Sequence, residues 1–184
     1  MFVFKKINEI PKEDFTAFMV VASDSYAEYC GLEEEYGEYF KDTEYCNDIL
    51  YDFFKEQYPG FEKDGARGRF YRRFYICMAD EGTGREKIIG QITHTKDYLN
   101  RDRISYYILP DSRRKGLMGQ AYDQFIEDTR QSGGLKNLFA AVNRSNTPSM
   151  YFLLSRGFNY VGFEKGWGYE EDDAVTRHVF TRHL

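Results

Sequence analysis

The chain has 184 residues, a formal net charge of −5 and an aromatic content of 18%. A chain of this length can bury a substantial core without disulfide bonds, and we expect residues 1–184 to form a single domain. The acidic balance argues against a general nucleic-acid binder, and the widely spaced Cys30, Cys46 and Cys77 argue against a disulfide framework or a zinc site.

The first part of the chain predicts a strand followed by two helices. Phe2–Ile7 alternates as a strand does, and Pro11 is placed to open a helix that stops at Gly31. Apolar side chains recur along this helix at three- and four-residue intervals: Phe15, Phe18, Met19, Ala22, Tyr26 and Tyr29. A second helix is predicted over Glu33–Tyr58, and the following segment, up to Gly68, is predicted to be a loop.

The middle of the chain predicts a hairpin and a third strand. Phe70–Ala79 and Lys87–Thr95 are rich in aromatic and β-branched residues, and the turn Asp80–Gly84 lies between them. These segments therefore predict two antiparallel strands. Ile104–Leu109 predicts a further strand, which ends at Pro110 because proline cannot continue the ladder.

A helix is predicted after the basic turn Asp111–Gly116, and Gly133-Gly134 closes it. Its apolar positions recur at helical spacing: Leu117, Met118, Ala121, Tyr122, Phe125, Ile126 and Thr129. A helix N-terminus offers unpaired N–H groups and a partial positive charge, and glycines at Gly116 and Gly119 would let a ligand approach closely. We expect the turn to bind a diphosphate, and the alternative is a solvated basic turn.

The remaining segments predict three strands and one short helix. The strands are Leu135–Val142, Phe158–Phe163 and Ala174–Thr181, and the helix follows the first of them, with Ser145 or Thr147 as its cap. The whole order of elements predicts one α/β domain with a mixed sheet.

Two of these segments resemble motifs of the GNAT-type N-acetyltransferases. Arg113-Arg-Lys-Gly-Leu-Met-Gly119 is similar to the coenzyme A pyrophosphate loop of that family, whose pattern is Gln/Arg-x-x-Gly-x-Gly/Ala. Asn146–Phe158 is similar to the family's Asn-led helix ending in Gly-Phe. Met118 stands where the family has Gly or Ala. The resemblance implies a mixed, mostly antiparallel sheet flanked by helices, whose central parallel strand pair is splayed to admit coenzyme A.

The resemblance also implies a reaction, the transfer of an acetyl or other short acyl group from acetyl-CoA to a primary amine. Main-chain groups of Tyr107, Ile108 and Leu109 would bind the pantetheine, with the amide near Ile108 facing the thioester oxygen. Asn146 would bond the pantetheine arm, and its alternative role is a helix cap. The loop residues would hold the pyrophosphate: Arg113, Arg114, Lys115, Gly116, Leu117, Met118 and Gly119.

At the catalytic positions the sequence departs from the family's pattern. Arg103 stands where the family often has a glutamate, which leaves Asp102 and His94 as candidate proton acceptors, or no base if the amine loses its proton unaided. Leu153 stands where many relatives have a tyrosine that protonates the thiolate. Tyr151 is then the candidate acid, and the alternative is a packing aromatic.

Acidic segments indicate a cationic acceptor, namely a polyamine, an aminoglycoside-like molecule or a basic peptide. The acidic residues of these segments are Glu28, Glu33, Glu34, Glu35, Glu170, Glu171, Asp172 and Asp173. In the resembled fold these segments would form the walls of the acceptor cleft, and the alternative interpretation is that they are solvated turns. Two other classes stay open, a coenzyme A-binding sensor without turnover and a structural domain without a ligand. We expect a cytoplasmic protein without a metal, a nucleic-acid partner or a membrane span, and a homodimer is left open.

Overall fold

The structure is a computed structural model that describes residues 2–30, 51–52, 55, 71–79, 82–96, 101–131, 136–165 and 176–184. Its strands are β1 (Val3–Lys5), β2 (Tyr71–Ala79), β3 (Glu86–Lys96), β4 (Asp102–Ile108), β5 (Asn137–Asn143), β6 (Asn159–Lys165) and β7 (Thr176–His183). Its helices are α1 (Lys12–Cys30), α2 (Leu117–Gln131) and α3 (Thr147–Ser155), and 3-10 turns occupy Ile7–Glu9 and Pro110–Ser112.

All the strands belong to one seven-stranded sheet of order β1-β2-β3-β4-β5-β7-β6. Neighbours run antiparallel except β4 and β5, which are parallel and pair only where Arg103 stands beside Phe139. Because this contact is near the start of both strands, the two separate toward their carboxyl ends. The predicted fold class, a mostly antiparallel mixed sheet with a splayed parallel pair, is confirmed.

The sheet has a core on each face, and each core belongs to a different helix. Ile104 and Leu138 pack with α2 and α3 in the larger core, and Tyr106 and Ile108 border it. Tyr107 and Leu109 instead border the core that contains α1. Side chains alternate along a strand. The even-numbered residues of β4 therefore face α2 and the odd-numbered ones face α1.

Most predicted elements are found with small changes in their bounds. The hairpin of β2 and β3 is antiparallel as predicted, and β4 begins two residues early, because Asp102 pairs with Lys96. Phe15, Phe18, Met19 and Ala22 are buried as predicted. The side chains of Tyr26 and Tyr29, the Gly133-Gly134 cap, and most of the predicted second helix and the following loop lie outside the described residues.

Two further findings concern the part of the chain that the structure describes. No helix in it is long and apolar enough to cross a bilayer, and no group of three or more His, Cys, Asp or Glu in it could hold a metal ion. Cys77 is a buried free thiol in β2.

Candidate functional site

The basic turn forms an open helix N-terminus at the carboxyl end of β4. Arg114 and Gly116 have positive φ angles of 60° and 71°, which turn the chain from the 3-10 segment into α2. Gln120 donates its N–H to the carbonyl of Gly116 at 3.2 Å, so the N–H groups of residues 117–119 precede the helical ladder. No acidic residue lies in the first turn of α2. The N–H groups and the helix dipole therefore suit an anion.

The three cations of the turn have different surroundings. Arg113 donates from Nε to the carbonyl of Ile108 at 3.2 Å, and its guanidinium lies 5.8 Å from the centre of the Tyr107 ring. Arg114 and Lys115 are exposed. Arg113 therefore ties the turn to the end of β4, whereas the other two cations can reach a ligand in solvent.

Gly119 lies where α3 packs against α2. A Cβ atom at this position would lie 1.9 Å from Nη2 of Arg156, whose Nη1 pairs with Asp123 at 2.9 Å. Arg156 thus fills the space beside Gly119 and holds α3 against α2, while the expected approach of a ligand to the Gly119 backbone stays a prediction. Met118 is buried in the core, so only its main chain can contact a ligand.

The register of β3 and β4 decides which main-chain groups face the gap beside β5. Leu109 donates its N–H to the carbonyl of Ile89 at 2.8 Å, and hydrogen-bonded pairs alternate along an antiparallel ladder. Tyr107 and Leu109 therefore direct their main-chain groups at β3, and Tyr106 and Ile108 direct theirs at the gap. The structure thus adds Tyr106, which the sequence reasoning missed, to Ile108 as a residue that faces the gap, and the cofactor contacts expected of Tyr107 and Leu109 stay a prediction.

Gly90 in β3 allows this close pairing with β4. A Cβ atom at Gly90 would lie 2.4 Å from the carbonyl oxygen of Tyr107 and 3.2 Å from Cα of Ile108. The sheet is irregular here, because the β2–β3 register shifts between Ile76 and Cys77. A glycine inside a predicted strand was the sequence signal for such an approach.

Asn146 caps α3, which confirms the alternative reading of this residue. Its side-chain oxygen accepts the N–H of Ser149 at 3.2 Å, so the predicted caps Ser145 and Thr147 are wrong. The cap uses Oδ1, and the side-chain NH₂ group is the part of Asn146 that can donate to a pantetheine carbonyl.

Tyr106 connects the gap to α3. Its hydroxyl donates to the carbonyl of Ser149 at 3.3 Å, and its ring centre lies 4.8 Å from that of Phe152. Burial raises the pKa of Tyr106 well above its ordinary value, and the hydrogen bond to Ser149 opposes the shift. Tyr106 is therefore a neutral hydroxyl at physiological pH.

His94 and Asp102 are brought together, at the end of β4 that is far from the basic turn. His94 is buried, and its Nε2 lies 2.8 Å from Oδ1 of Asp102, which Lys96 also approaches at 3.1 Å. The strand from Asp102 to Ile108 is about 20 Å long at 3.3 Å per residue. The pair lies on the α2 face, because Asp102 is an even-numbered residue of β4.

Tyr151 is not brought near these groups. It is 70% exposed on α3, whereas Leu153, at the position of the family's tyrosine, is fully buried. A proton donor at Tyr151 would have to act from the solvent side of the helix.

A carboxylate just beyond the predicted strand Phe158–Phe163 lies against Arg103. Glu164 of β6 pairs with Nη2 of Arg103, and its other oxygen lies 3.6 Å from Nη2 of Arg101. The Arg101 guanidinium lies 5.0 Å from the centre of the Phe139 ring. A contact between residues 61 positions apart has no local sequence signal.

Comparison with protein families gives a match over most of the chain. The model of the family described as "Acetyltransferase (GNAT) family" matches residues 20–158. No curated protein matches the chain.

Solved structures share the fold at low sequence identity. A ribosomal L7/L12 alpha-N-protein acetyltransferase in complex with coenzyme A has a TM-score of 0.70 and 12% identity, with 100% of this chain and 94% of that chain covered. The ribosomal-protein-S5-alanine acetyltransferase from Vibrio fischeri has a TM-score of 0.67 and 17% identity, with 99% and 91% covered. The Microcin C7 self-immunity acetyltransferase, in complex with acetyl-CoA and AMP, has a TM-score of 0.69 and 12% identity, with 100% and 91% covered.

Proposed function

We propose that this chain, which belongs to the Acetyltransferase (GNAT) family, moves an acetyl group from acetyl-CoA to a primary amine. The observation that carries the proposal is the continuity of two features, the gap between β4 and β5 and the open N-terminus of α2. A long thioester with a diphosphate fits both, because its arm can pair with a strand while its charge meets helix N–H groups.

The donor would be held from one end to the other by residues of this chain. The N–H groups of residues 117–119, with Arg114 and Lys115, would bind the diphosphate. Tyr106 and Ile108 would pair with the pantetheine, and the Asn146 amide would donate to it. The Ile108 N–H would stabilise negative charge on the thioester oxygen.

Proton transfer needs an acceptor for the ammonium proton and a donor for the thiolate. His94 is one candidate acceptor, because Asp102 at 2.8 Å can orient its ring and stabilise its charged form. Tyr151 is the candidate donor, and it would act through solvent. His94→Gln and Tyr151→Phe are expected to lower kcat by on the order of 10²-fold if these roles are right. Unchanged kcat would exclude either residue.

The molecule that receives the acetyl group is an amine on a peptide or a small molecule. Two structural relatives are named as acetylases of ribosomal proteins, which favours a peptide amine. The acidic segments that favour a cationic acceptor lie outside the described side chains, so that preference rests on charge alone.

The experiment is thiol release from acetyl-CoA with spermidine, kanamycin and a hexapeptide that begins with a free alanine. Calorimetry with coenzyme A is done on the same protein. We expect the protein to bind coenzyme A and to acetylate at least one amine. If the acceptor is cationic, thiol release with spermidine should be faster at low salt than at high salt. Binding without thiol release would leave the sensor function, and no binding would leave a structural domain.

A further inference from the structure

The strands around the gap carry few carboxylates. In the described residues of β4 to β7, Asp102 and Glu164 are the acidic side chains. Asp102 faces α2 and is paired with His94 and Lys96. Glu164 remains as the carboxylate on the other face.

The pairing of β6 with β7 places Glu164 on the α1 face. Glu164 stands opposite Arg177, and their neighbours Phe163 and His178 also form a pair. His178 has the same parity as Phe180, which lies in the core that contains α2 and α3. Arg177 and Glu164 therefore face the other way, as the odd-numbered residues of β4 do.

The carboxylate of Glu164 also lies at the level of the gap. Arg103 stands beside Phe139, while Glu164 is in register, through Arg177, with Asn143. Phe139 and Asn143 are about 13 Å apart along the strand. Since the side chains of Arg103 and Glu164 meet, their contact falls between these levels, where β4 and β5 are no longer paired.

The Glu164 side chain is fixed by two ion pairs and remains partly exposed to solvent. Arg103 contacts one oxygen and Arg101 the other, and 26% of the side chain remains exposed. A carboxylate has about four acceptor sites, so it can receive an amine while it keeps both guanidinium contacts. The contacts fix its position in advance, as an acceptor site for a reacting group requires.

We infer that Glu164 binds the ammonium group of the acceptor on the α1 face and takes the proton that this group must lose. The inference rests on the proposed function. The nitrogen gives one proton to the carboxylate, directly or through water, and its freed lone pair forms the C–N bond to the thioester carbon. The C–S bond then breaks, and the second nitrogen proton passes, directly or through water, to the leaving thiolate, which departs as the free thiol.

The first test is Glu164→Gln, with Glu86→Gln as the matched control. Glu86 of β3 also forms an ion pair, with Lys5 of the edge strand β1, and β4 lies between this pair and β6 in the strand order. We expect Glu164→Gln to lower kcat/KM for the acceptor by on the order of 10²-fold and to leave coenzyme A affinity and Tm near those of the control. Spermidine binding in the presence of coenzyme A, measured by calorimetry, should weaken as well.

The pH profile separates proton transfer from packing. Arg101, Arg103 and Arg177 are the charged groups that face Glu164 from the described parts of the neighbouring strands. Raising the pH from 7 to 9 increases the fraction of the acceptor amine that is already neutral, so it should narrow the deficit of Glu164→Gln. A deficit that stays constant with pH would overturn the role in proton transfer.

Equal rates for Glu164→Gln and Glu86→Gln, in a wild-type protein that turns over amines, would overturn the inference alone. A wild-type protein that binds coenzyme A but acetylates none of the amines would overturn the proposed function and this inference with it.

Discussion

Gly90→Ala is the substitution that most directly tests the link between the sheet and the gap. The new methyl group would lie 2.4 Å from the Tyr107 carbonyl oxygen, a backbone atom that cannot rotate away. Cβ contacts below 3.0 Å are essentially absent from real structures, so β3 and β4 must separate. The shift falls on Ile108, whose Cα lies 3.2 Å from the added atom.

The expected cost follows from the size of this clash. Overpacking of an ordered site typically costs about 1–3 kcal/mol, and for a chain of this length each kcal/mol lowers Tm by about 2–4 °C. The larger effect is expected on catalysis. A displacement of about 1 Å can cost 10²-fold in rate, and the Ile108 N–H would move by roughly half of that. We expect kcat to fall by about tenfold or more.

The assay compares Gly90→Ala with Gly84→Ala. Gly84 lies in the turn before β3, has φ +68° and has no atom within 4 Å of an added Cβ. Alanine there costs about 1–2 kcal/mol of backbone strain without touching β4. Both variants should lose similar Tm, and only Gly90→Ala should lose kcat. If the two variants keep the same kcat, the Ile108 amide does not act on the reacting carbonyl.

Three other outcomes are expected, two for the site and one for the core. Arg114→Glu with Lys115→Glu should weaken coenzyme A binding by about tenfold or more, and Arg130→Glu at the other end of α2 should not; equal Kd values in calorimetry would contradict the proposed diphosphate site. Asn146→Ser keeps the cap and should preserve Tm while coenzyme A affinity falls, whereas Asn146→Ala should also lose about 1 kcal/mol; an unchanged Kd would assign Asn146 to the cap alone. Burial raises the pKa of the Cys77 thiol from 9.0 to about 11, so its contribution to stability is complete below pH 9 and is lost as the pH rises to 11. Urea unfolding at pH 8 and 10.5 should show a smaller decline for Cys77→Ala, and an equal decline would refute this.

Local patterns were sufficient to predict much of the sheet and the central helix. The apolar spacing of α2 and the turn between β2 and β3 involve residues close in sequence, so periodicity and glycine placement identify them. The helix N-terminus was predictable for the same reason, because Gly116 and the cations beside it lie in one short segment.

The parts that were missed depend on how distant strands align. The main-chain direction of Tyr106 is set by the register with β3, and the strand's own sequence does not contain it. Glu164 meets Arg103 only because β6 lies two strands beyond β5 in the sheet. The packing of Arg156 over Gly119 was not predictable either, because the two residues are distant in sequence.

The two faces of the sheet divide the proposed chemistry. The donor would lie in the gap, with its phosphates at α2, so the acceptor would approach the thioester from the face that α2 does not occupy. A side chain that takes the proton of the acceptor amine must then lie on the α1 face, either on an odd-numbered residue of β4 or on a residue of β6 or β7 that points to that face. Glu164 meets this condition, and His94, beside Ile104 on the α2 face, does not. Of the two candidate proton acceptors, Glu164 is therefore favoured. We expect kcat to fall on the order of 10²-fold in Glu164→Gln and to stay nearly unchanged in His94→Gln, and the reverse result would assign the proton to His94.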